Sequence, residues 1–384
     1  MTEERGRLRE LARLFLRLGS TAFGGPAAHI ALMRHEVVVE HEWIDDREYG
    51  QLIGLSNLVP GPNSTEVAMH VGRVRAGWRG LLVAGLAFIL PAFLMMLGLA
   101  WFYVHYGTRP RFESALAGIS AVVVVLVVQA ILQLSRSSLR SAITIGVAVV
   151  ALLAAIVTVH ELIILVGGGV ATFLVWRFRD RGATPGPGTI LVLFGSVAHD
   201  IGPVVATAGP VMLAPLFFVF LEIGAVLYGS GYVLYAFLES QLVHQRHWIS
   251  EQQLVDAIAM GQLTPGPVFT TATFIGYLVR GVPGAIVATI GIFLPAFLFV
   301  GATDVVVRRL RDSAAFHAFL SGVVAASIAL MVWVAATLAD RTYVDVGTIA
   351  VGTAAATLIV LRRPHPAWLL LGGGLAGFLI PHLG

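Results

Sequence analysis

The residues best suited to chemistry lie at 57–66, Asn-Leu-Val-Pro-Gly-Pro-Asn-Ser-Thr-Glu, in a chain that is otherwise largely apolar. Neither proline has an N–H, and the residue before each proline is pushed out of the α region, so a helix must end here. Asn63 or Ser64 can cap a new helix, and Glu66 completes a loose capping box. The pattern predicts a helix break whose next helix begins with free backbone N–H groups.

Free N–H groups at a helix start, together with the helix dipole, favour the binding of an anion. Four such starts could converge, two from each half of the chain: they follow Pro26, Pro62, Gly231 and Pro267. Many neutral donors with little full charge suit a tetrahedral dianion that must also be released. The alternative is a purely structural role, in which these prolines and glycines only kink packed membrane helices. The predicted substrate-binding residues are Gly24, Gly25, Asn57, Pro60, Gly61, Pro62, Asn63, Ser64, Thr65, Gly229, Ser230, Gly231, Gln262, Thr264, Gly266, Thr270 and Thr271.

Ionisable side chains follow the first break at helical spacing. Glu66, His70 and Arg73 lie at i, i+4 and i+7, which is one face of a helix, and Glu222 is another carboxylate within an apolar run. Ionisable groups inside a membrane protein are candidate proton carriers or gates, so we predict a coupling or gating role for these four residues. The alternative is that Glu66 only caps its helix while His70 and Arg73 lie at the membrane surface.

Other chemistries find no support in the sequence. The stretch 35–42, His-Glu-Val-Val-Val-Glu-His-Glu, resembles a metalloprotease motif, but the second histidine is not at i+4, where Val39 stands. The chain has no Walker motif, no dinucleotide fingerprint and no credible pair of nucleophile and base. We therefore predict no enzyme activity, no catalytic residue, no metal site and no cofactor.

Composition indicates an all-α polytopic membrane protein. Hydrophobic residues make up 57% of the chain and charged residues 12%, with a mean hydropathy of +0.84. Several apolar runs, such as 78–103 and 314–338, are long enough to cross a bilayer. The net charge of +3 is interpreted as a topology signal, not as a nucleic-acid footprint. The absence of cysteine excludes disulfides.

The second half of the chain repeats the first. Residues 57–62 match 262–267 at an offset of 205, and after a one-residue slip 90–93 match 294–297. We expect a first membrane repeat at 1–176, a linker at 177–210 with a further candidate membrane segment at 189–208, and a second membrane repeat at 211–384.

Arginine residues cluster at 5–17, 73–79, 136–140, 177–181, 308–311 and 362–363. These clusters predict that the two repeats are inverted. Placing these clusters in the cytoplasm makes the helix at 78–104 begin inside, whereas its counterpart at 283–307 ends inside. We expect about 12–13 membrane segments, with broken or re-entrant helices near the centre of each repeat and a cytoplasmic N-terminus.

The motifs at 23–30, 58–66, 76–80 and 88–92 resemble the chromate ion transporter family in its long-chain form, which has two homologous halves. The resemblance covers roughly 8–134 and 213–338. It implies efflux of chromate across the cell membrane, with chromate resistance as the result and sulfate as the structural analogue.

The leading hypothesis is a secondary transporter of a tetrahedral oxyanion that works by alternating access. Two alternatives remain open at this point: a transporter or exchanger of sulfate or another oxyanion, and a passive anion channel. The expected partners are the oxyanion and the lipid bilayer, with a homodimer as an open question and no nucleic acid.

Overall fold

A computed structural model describes residues 2–107, 110–157, 159–180, 212–227, 233–311, 313–362 and 364–379. These residues form fourteen α-helices and no strand. The candidate membrane segment at 189–208, most of the predicted linker, and Gly229, Ser230 and Gly231 lie outside the described residues.

The described helices correspond one to one between the halves. In the first half they are α1 (Thr2–Thr21), α2 (Gly25–Arg34), α3 (Asp46–Ser56), α4 (Asn63–Tyr106), α5 (Pro110–Ser138), α6 (Ala142–Ile156) and α7 (Glu161–Asp180). In the second half they are α8 (Leu213–Val226), α9 (Val233–Leu238), α10 (Glu251–Leu263), α11 (Thr271–Arg311), α12 (Ala314–Thr342), α13 (Val346–Arg362) and α14 (Pro366–Leu379). π-Helical turns follow α2 (His35–Glu40) and α9 (Glu239–Gln245), and a 3-10 turn (Val268–Thr270) precedes α11.

The helices that lead into the two Pro-Gly-Pro breaks start with side-chain caps at equivalent positions. Asp45 accepts a hydrogen bond from the backbone N–H of Glu48 at the start of α3, at 2.7 Å. Ser250 and Gln253 form a capping box at the start of α10. Such caps satisfy N–H groups that have no partner within the helix. Both helices therefore have a start and a stop that the local sequence determines.

The helix α4 is folded back on itself at a sharp kink. Its backbone leaves the helical region at Ala76 and Gly77, where φ reaches +59° at the glycine. A Cβ added to Gly72 would lie 2.3 Å from the carbonyl oxygen of Gly80, so the two segments touch backbone to backbone. The same turn recurs in α11 at Gly281, with φ +60°. We call the parts of α4 before and after the kink its first segment (63–75) and second segment (78–106).

The first Pro-Gly-Pro break lies at the tip of a re-entrant hairpin. One arm is α3 and the other is the first segment of α4. At the open end of this hairpin, the guanidinium of Arg75 lies over the ring of Trp43, 5.1 Å from its centroid. The hairpin therefore begins and ends at the same face of the molecule. The sequence left open whether these segments cross the membrane or re-enter it, and the contacts show that they re-enter.

The pair α1 and α2 forms a second re-entrant hairpin. Arg17 on α1 forms an ion pair with Glu36, in the π-helical turn after α2. A straight continuation of α1 would separate these residues by about 28 Å, so α2 must fold back. Glu4 also pairs with Arg79 at 3.1 Å, which places the start of α1 beside the start of the second segment of α4. We call this end of the molecule the arginine face.

The two repeats are inverted. The second segment of α4 and that of α11 (282–311, after its kink) run antiparallel, because Trp78 contacts Gly301 while Gly85, further along α4, contacts Phe297. Equivalent helices become antiparallel only when a two-fold axis runs perpendicular to them, which in a membrane protein means an axis in the plane of the bilayer. The inversion predicted from the arginine clusters is confirmed.

A membrane environment explains the surface. Among the described residues, five helices are long and apolar enough to cross a bilayer. The second segment of α4 leaves Leu82, Leu86, Leu90 and Leu94 between 45% and 59% exposed, at a spacing of four residues. This stripe would be costly in water and fits contact with lipid.

Candidate functional site

Both Pro-Gly-Pro breaks lie halfway between the two ends of the molecule, each against a long helix of the opposite repeat. Gly61 in the first break lies against Ala296, near the middle of the second segment of α11, and Gly266 in the second break lies against Ala92, at the equivalent place in α4. Because those long segments span the molecule, their midpoints mark its central plane. Both breaks therefore lie at the same depth, near the middle of the molecule.

Each break is hydrogen-bonded to the opposite repeat. The N–H of Gly61 donates to the carbonyl oxygen of Leu227 at 2.8 Å, and the N–H of Gly266 donates to that of Ala22 at 2.9 Å. The two donors, Gly61 and Gly266, are 205 residues apart, and so are the two acceptors, Ala22 and Leu227. The two bonds are therefore equivalent in the two repeats. The end of the first helix of each repeat thus fixes the break of the other.

The first break holds polar atoms that lack partners. Thr65 and Glu66 are both 0% exposed, and neither the Thr65 hydroxyl nor either carboxyl oxygen of Glu66 has a hydrogen-bond partner among the described residues. A buried polar group of this kind is costly unless a ligand, a proton or water satisfies it. The orphaned atoms lie in the first turn of α4, where the N–H groups of Thr65 and Glu66 bond to the carbonyl oxygen of Pro62 and those of Asn63 and Ser64 have no partner within the helix.

The position of the Glu66 carboxyl depends on the lack of a side chain at Gly61. A Cβ at Gly61 would lie 2.2 Å from Oε1 of Glu66, and the φ of Gly61 is +144°, a value that L-residues rarely adopt. The carboxyl therefore occupies the space that the glycine leaves. Proline and glycine at 60–62 position the acid as well as ending α3.

Two amides bridge the first break. Nδ2 of Asn63 donates to Oδ1 of Asn57 at 2.9 Å. This bond uses one of the four N–H bonds that the two amides carry. Ser64, next to Asn63, is buried. Of the flanking prolines, Pro60 is half-buried and Pro62 is buried as the residue before α4.

The polar side chains around the second break have hydrogen-bond partners within the protein. The hydroxyls of Thr264, Thr270 and Thr271 donate to backbone carbonyls of their own segment, at 2.7 to 2.8 Å. Gln262 donates to the hydroxyl of Tyr235 at 2.7 Å. These hydroxyl protons are already used within the protein. The unpartnered groups are thus concentrated in the first repeat, an asymmetry that the residue types alone did not reveal.

The glycines between α1 and α2 also adopt positive φ, +102° at Gly24 and +77° at Gly25. A Cβ at Gly24 would lie 3.3 Å from Nε2 of His365, so this turn contacts the loop before α14. The turn is built for a tight reversal, which is the role that glycine plays at such angles.

The predicted coupling residues lie in different settings. His70 is buried one turn after Glu66. Arg73 donates from Nη1 to the carbonyl oxygens of Val300 and Gly301, at 2.6 and 2.9 Å, and therefore joins the two repeats. Glu222 is half-buried on α8, where its charge acts on Arg246.

A cavity that the sequence did not indicate lies at the face opposite the arginine face. Its volume is about 790 Å³, and its walls come from both repeats, including α4, α5, α10 and α12. We call it the Asp256 cavity. The Tyr103 hydroxyl donates to Oδ2 of Asp256 at 2.7 Å within it, and Tyr103 also packs edge-on against Phe274. Asp256 lies ten residues before Gly266, about 15 Å along a helix axis.

Comparison with known proteins agrees with this architecture. The sequence model of a family described as "Chromate transporter" matches residues 9–173 and 214–378, one match in each repeat. The chain belongs to the chromate transporter family. The two matches in this transporter coincide with the two halves that the reciprocal contacts relate.

Relatives cover nearly the whole transporter. A chromate transport protein of Cupriavidus metallidurans is 32% identical over 97% of this chain and 93% of its own length. A chromate transport protein of Pseudomonas aeruginosa is 31% identical over 97% and 92%, and an uncharacterised transporter of Methanocaldococcus jannaschii is 29% identical over 83% and 81%. No solved structure matches this transporter.

The orphaned hydroxyl of Thr65 permits a test of the site. We expect Thr65→Val to keep the protein folded, because the change removes a buried hydroxyl that no described residue satisfies. If this hydroxyl donates to the bound anion, oxyanion affinity should fall roughly tenfold, which is the value of one hydrogen bond to a charged group. Thermal unfolding in detergent and equilibrium binding measure the two effects.

Thr273→Val is the matched control. The hydroxyl of Thr273 is bonded to that of Thr289 at 2.7 Å, so this variant should be destabilised by about 1 kcal/mol with unchanged affinity. Unchanged affinity in a well-folded Thr65→Val protein would remove Thr65 from the site.

Proposed function

We propose that this protein is a secondary transporter that carries a tetrahedral oxyanion, chromate first of all, out of the cytoplasm by alternating access between its inverted repeats. The observation that carries the proposal is the position of the two Pro-Gly-Pro breaks at the central plane, each bonded to the other repeat through Gly61 and Gly266. Irregular backbone at this depth is tolerated where it lines a site, and inverted-repeat transporters bind substrates there. The names of the relatives supply the substrate.

The proposed orientation places the arginine face and the N-terminus in the cytoplasm. The arginine face holds Arg75 and Arg79, and loops rich in arginine favour the cytoplasmic side. The Asp256 cavity then opens to the outside of the cell membrane. Export of chromate in this direction would make the cell resistant to it.

We propose that the start of α4 holds the oxyanion. The helix dipole, the backbone N–H groups of Asn63 and Ser64, the Thr65 hydroxyl and the side-chain amides at 57 and 63 supply donors without a full positive charge. Arg73, the nearest cation along this helix, donates to carbonyls of α11 instead. A dianion held by dipoles alone can also be released, which a transporter requires.

We propose that Glu66 couples the oxyanion to protons. An ionised carboxylate without a partner is costly in a membrane interior, and beside a dianion it would also be repelled. Protonation of Glu66 therefore favours oxyanion binding, and loss of the proton favours release. His70, one turn further along α4, is positioned to exchange that proton with the arginine face.

The direct test is uptake of labelled chromate into liposomes that contain the purified protein. We expect saturable uptake that excess sulfate suppresses and that an imposed pH gradient alters. Uptake that stays proportional to concentration would favour a passive anion channel. Absence of uptake by folded protein, under any gradient, would contradict chromate as the substrate.

A further inference from the structure

The Asp256 cavity brings carboxylates from both repeats to the walls of one shared space. Glu113 lies on α5 of the first repeat and Asp256 on α10 of the second, and their charges repel one another across the cavity. A volume of about 790 Å³ exceeds what an ion or a single water needs, so the cavity is too large to be a tight binding pocket for either.

The arginine on the described wall of the Asp256 cavity is engaged elsewhere. Arg341 pairs with Glu239 at 3.3 Å and with Glu251 at 3.0 Å, two carboxylates for a single positive charge. Its charge is therefore offset. Among the described residues that line the cavity, the carboxylates of Glu113 and Asp256 are left to set the sign of the potential.

A separate feature of the cavity wall is a buried hydroxyl without a described partner. Ser120 is only 3% exposed and lines the cavity, and its hydroxyl has no hydrogen-bond partner among the described residues. A buried hydroxyl in this position needs a partner, which hydrated ions or water in the cavity would supply.

We propose that the Asp256 cavity is a cation-attracting antechamber that keeps dianions away from the central site on its own side. A cleft lined by one sign of charge between low-dielectric walls changes local ion concentrations by roughly tenfold or more. A dianion is affected twice as strongly as a monovalent ion, since energy scales with charge. As a consequence that rests on the proposed function, an oxyanion that has left toward this side rebinds weakly.

The local potential can be measured without any transport assay. The chain contains no cysteine, so Ala117→Cys, on the cavity wall, would introduce a single thiol. We expect a positively charged thiol reagent to react roughly tenfold faster there than a negatively charged one of the same size, relative to a free thiol. Equal rates, or a preference for the anionic reagent, would overturn the proposal.

Two variants shift the potential in opposite directions with little change to the fold. Glu113→Gln removes one charge, and Glu113 makes no ion pair within the described chain. Gln253→Glu adds one, and glutamate can serve in the capping box with Ser250 as glutamine does. Asp256 is left intact because its oxygens bond Tyr103 and Gln252.

We expect the cationic preference of the introduced thiol to fall about threefold in Glu113→Gln and to rise about threefold in Gln253→Glu, with both shifts shrinking at high salt. Glu10→Gln, on the arginine face, is the control and should change nothing. Shifts in the same direction for both variants would contradict the proposal.

A transport assay then tests the antechamber and the proposed function separately. In vesicles of defined orientation, Glu113→Gln should lower the half-saturation concentration of oxyanion from the cavity side about threefold and leave the other side unchanged. If thiol reactivity shifts as expected but wild-type protein carries no oxyanion, the antechamber stands and the proposed function fails. If transport is saturable but thiol reactivity does not shift, the proposed function stands and the antechamber fails.

Discussion

A Gly266→Ala variant is expected to lose at least roughly tenfold of its oxyanion transport and about 2–5 kcal/mol of stability. Gly266 has φ +88°, which costs an alanine about 1–2 kcal/mol, and its Cβ would lie 2.9 Å from both the carbonyl oxygen of Gly19 and the Cβ of Ala92. Relief of that contact must separate the second break from the first repeat. The bond from Gly266 to Ala22 would be lost with it.

Gly281→Ala is the matched control for Gly266→Ala. Gly281 lies in the same repeat and also has positive φ, +60°, but a Cβ there meets nothing within 4 Å. This variant should show only the backbone strain and retain transport. Thermal unfolding in detergent and uptake into liposomes report both properties. Equal losses in the two variants would show that strain alone, and not the contact between the repeats, limits function.

The second large effect is expected from Glu66→Gln. Glutamine matches the shape of the protonated acid and cannot ionise, so the variant should bind oxyanion with an affinity that does not change with pH. In the wild type, ionisation of Glu66 repels the dianion, so the half-saturation concentration should rise with pH by up to about tenfold per unit. Sulfate is the suitable ligand for this measurement because it remains a dianion across the range.

Glu10→Gln controls for the removal of any carboxylate. Glu10 pairs with Arg75 at 3.1 Å on the arginine face and is more than half exposed, so this variant should keep the pH dependence of the wild type. A Glu66→Gln protein that binds sulfate with the wild-type pH dependence would transfer the coupling role to another group, with His70 as the next candidate.

The sequence predicted the breaks well because proline and glycine act locally. Neither proline at 60–62 can continue a helix, whatever packs around it, and the interruption at Gly24 and Gly25 is explained in the same way. The kink at Ala76 and Gly77 also falls just before 78, where the sequence predicted a membrane helix to begin. Because the motifs recur, the relation between the halves could be predicted as well.

Features that depend on distant contacts could not be predicted. The re-entry of α3 is settled by Arg75 lying over Trp43, and no local pattern indicates that contact. Threonines at 264, 270 and 271 looked like free donors, but the local backbone accepts their protons. Asp256 gave no signal because its importance comes from Tyr103, which is 153 residues away in the chain.

The crossed hydrogen bonds at the two breaks imply something about ancestry and about freedom to change. An ancestor with a single repeat could have formed this hydrogen bond only as a dimer of two copies inserted in opposite directions. In such a dimer, the break glycine of each copy would donate to the carbonyl at the end of the first helix of the other copy. In one chain the two copies are free to differ, and the equivalent positions 66 and 271 are glutamate and threonine. Expressed separately, the halves should therefore work only as a mixed pair, and two first halves together should leave the membrane site with one buried carboxylate too many.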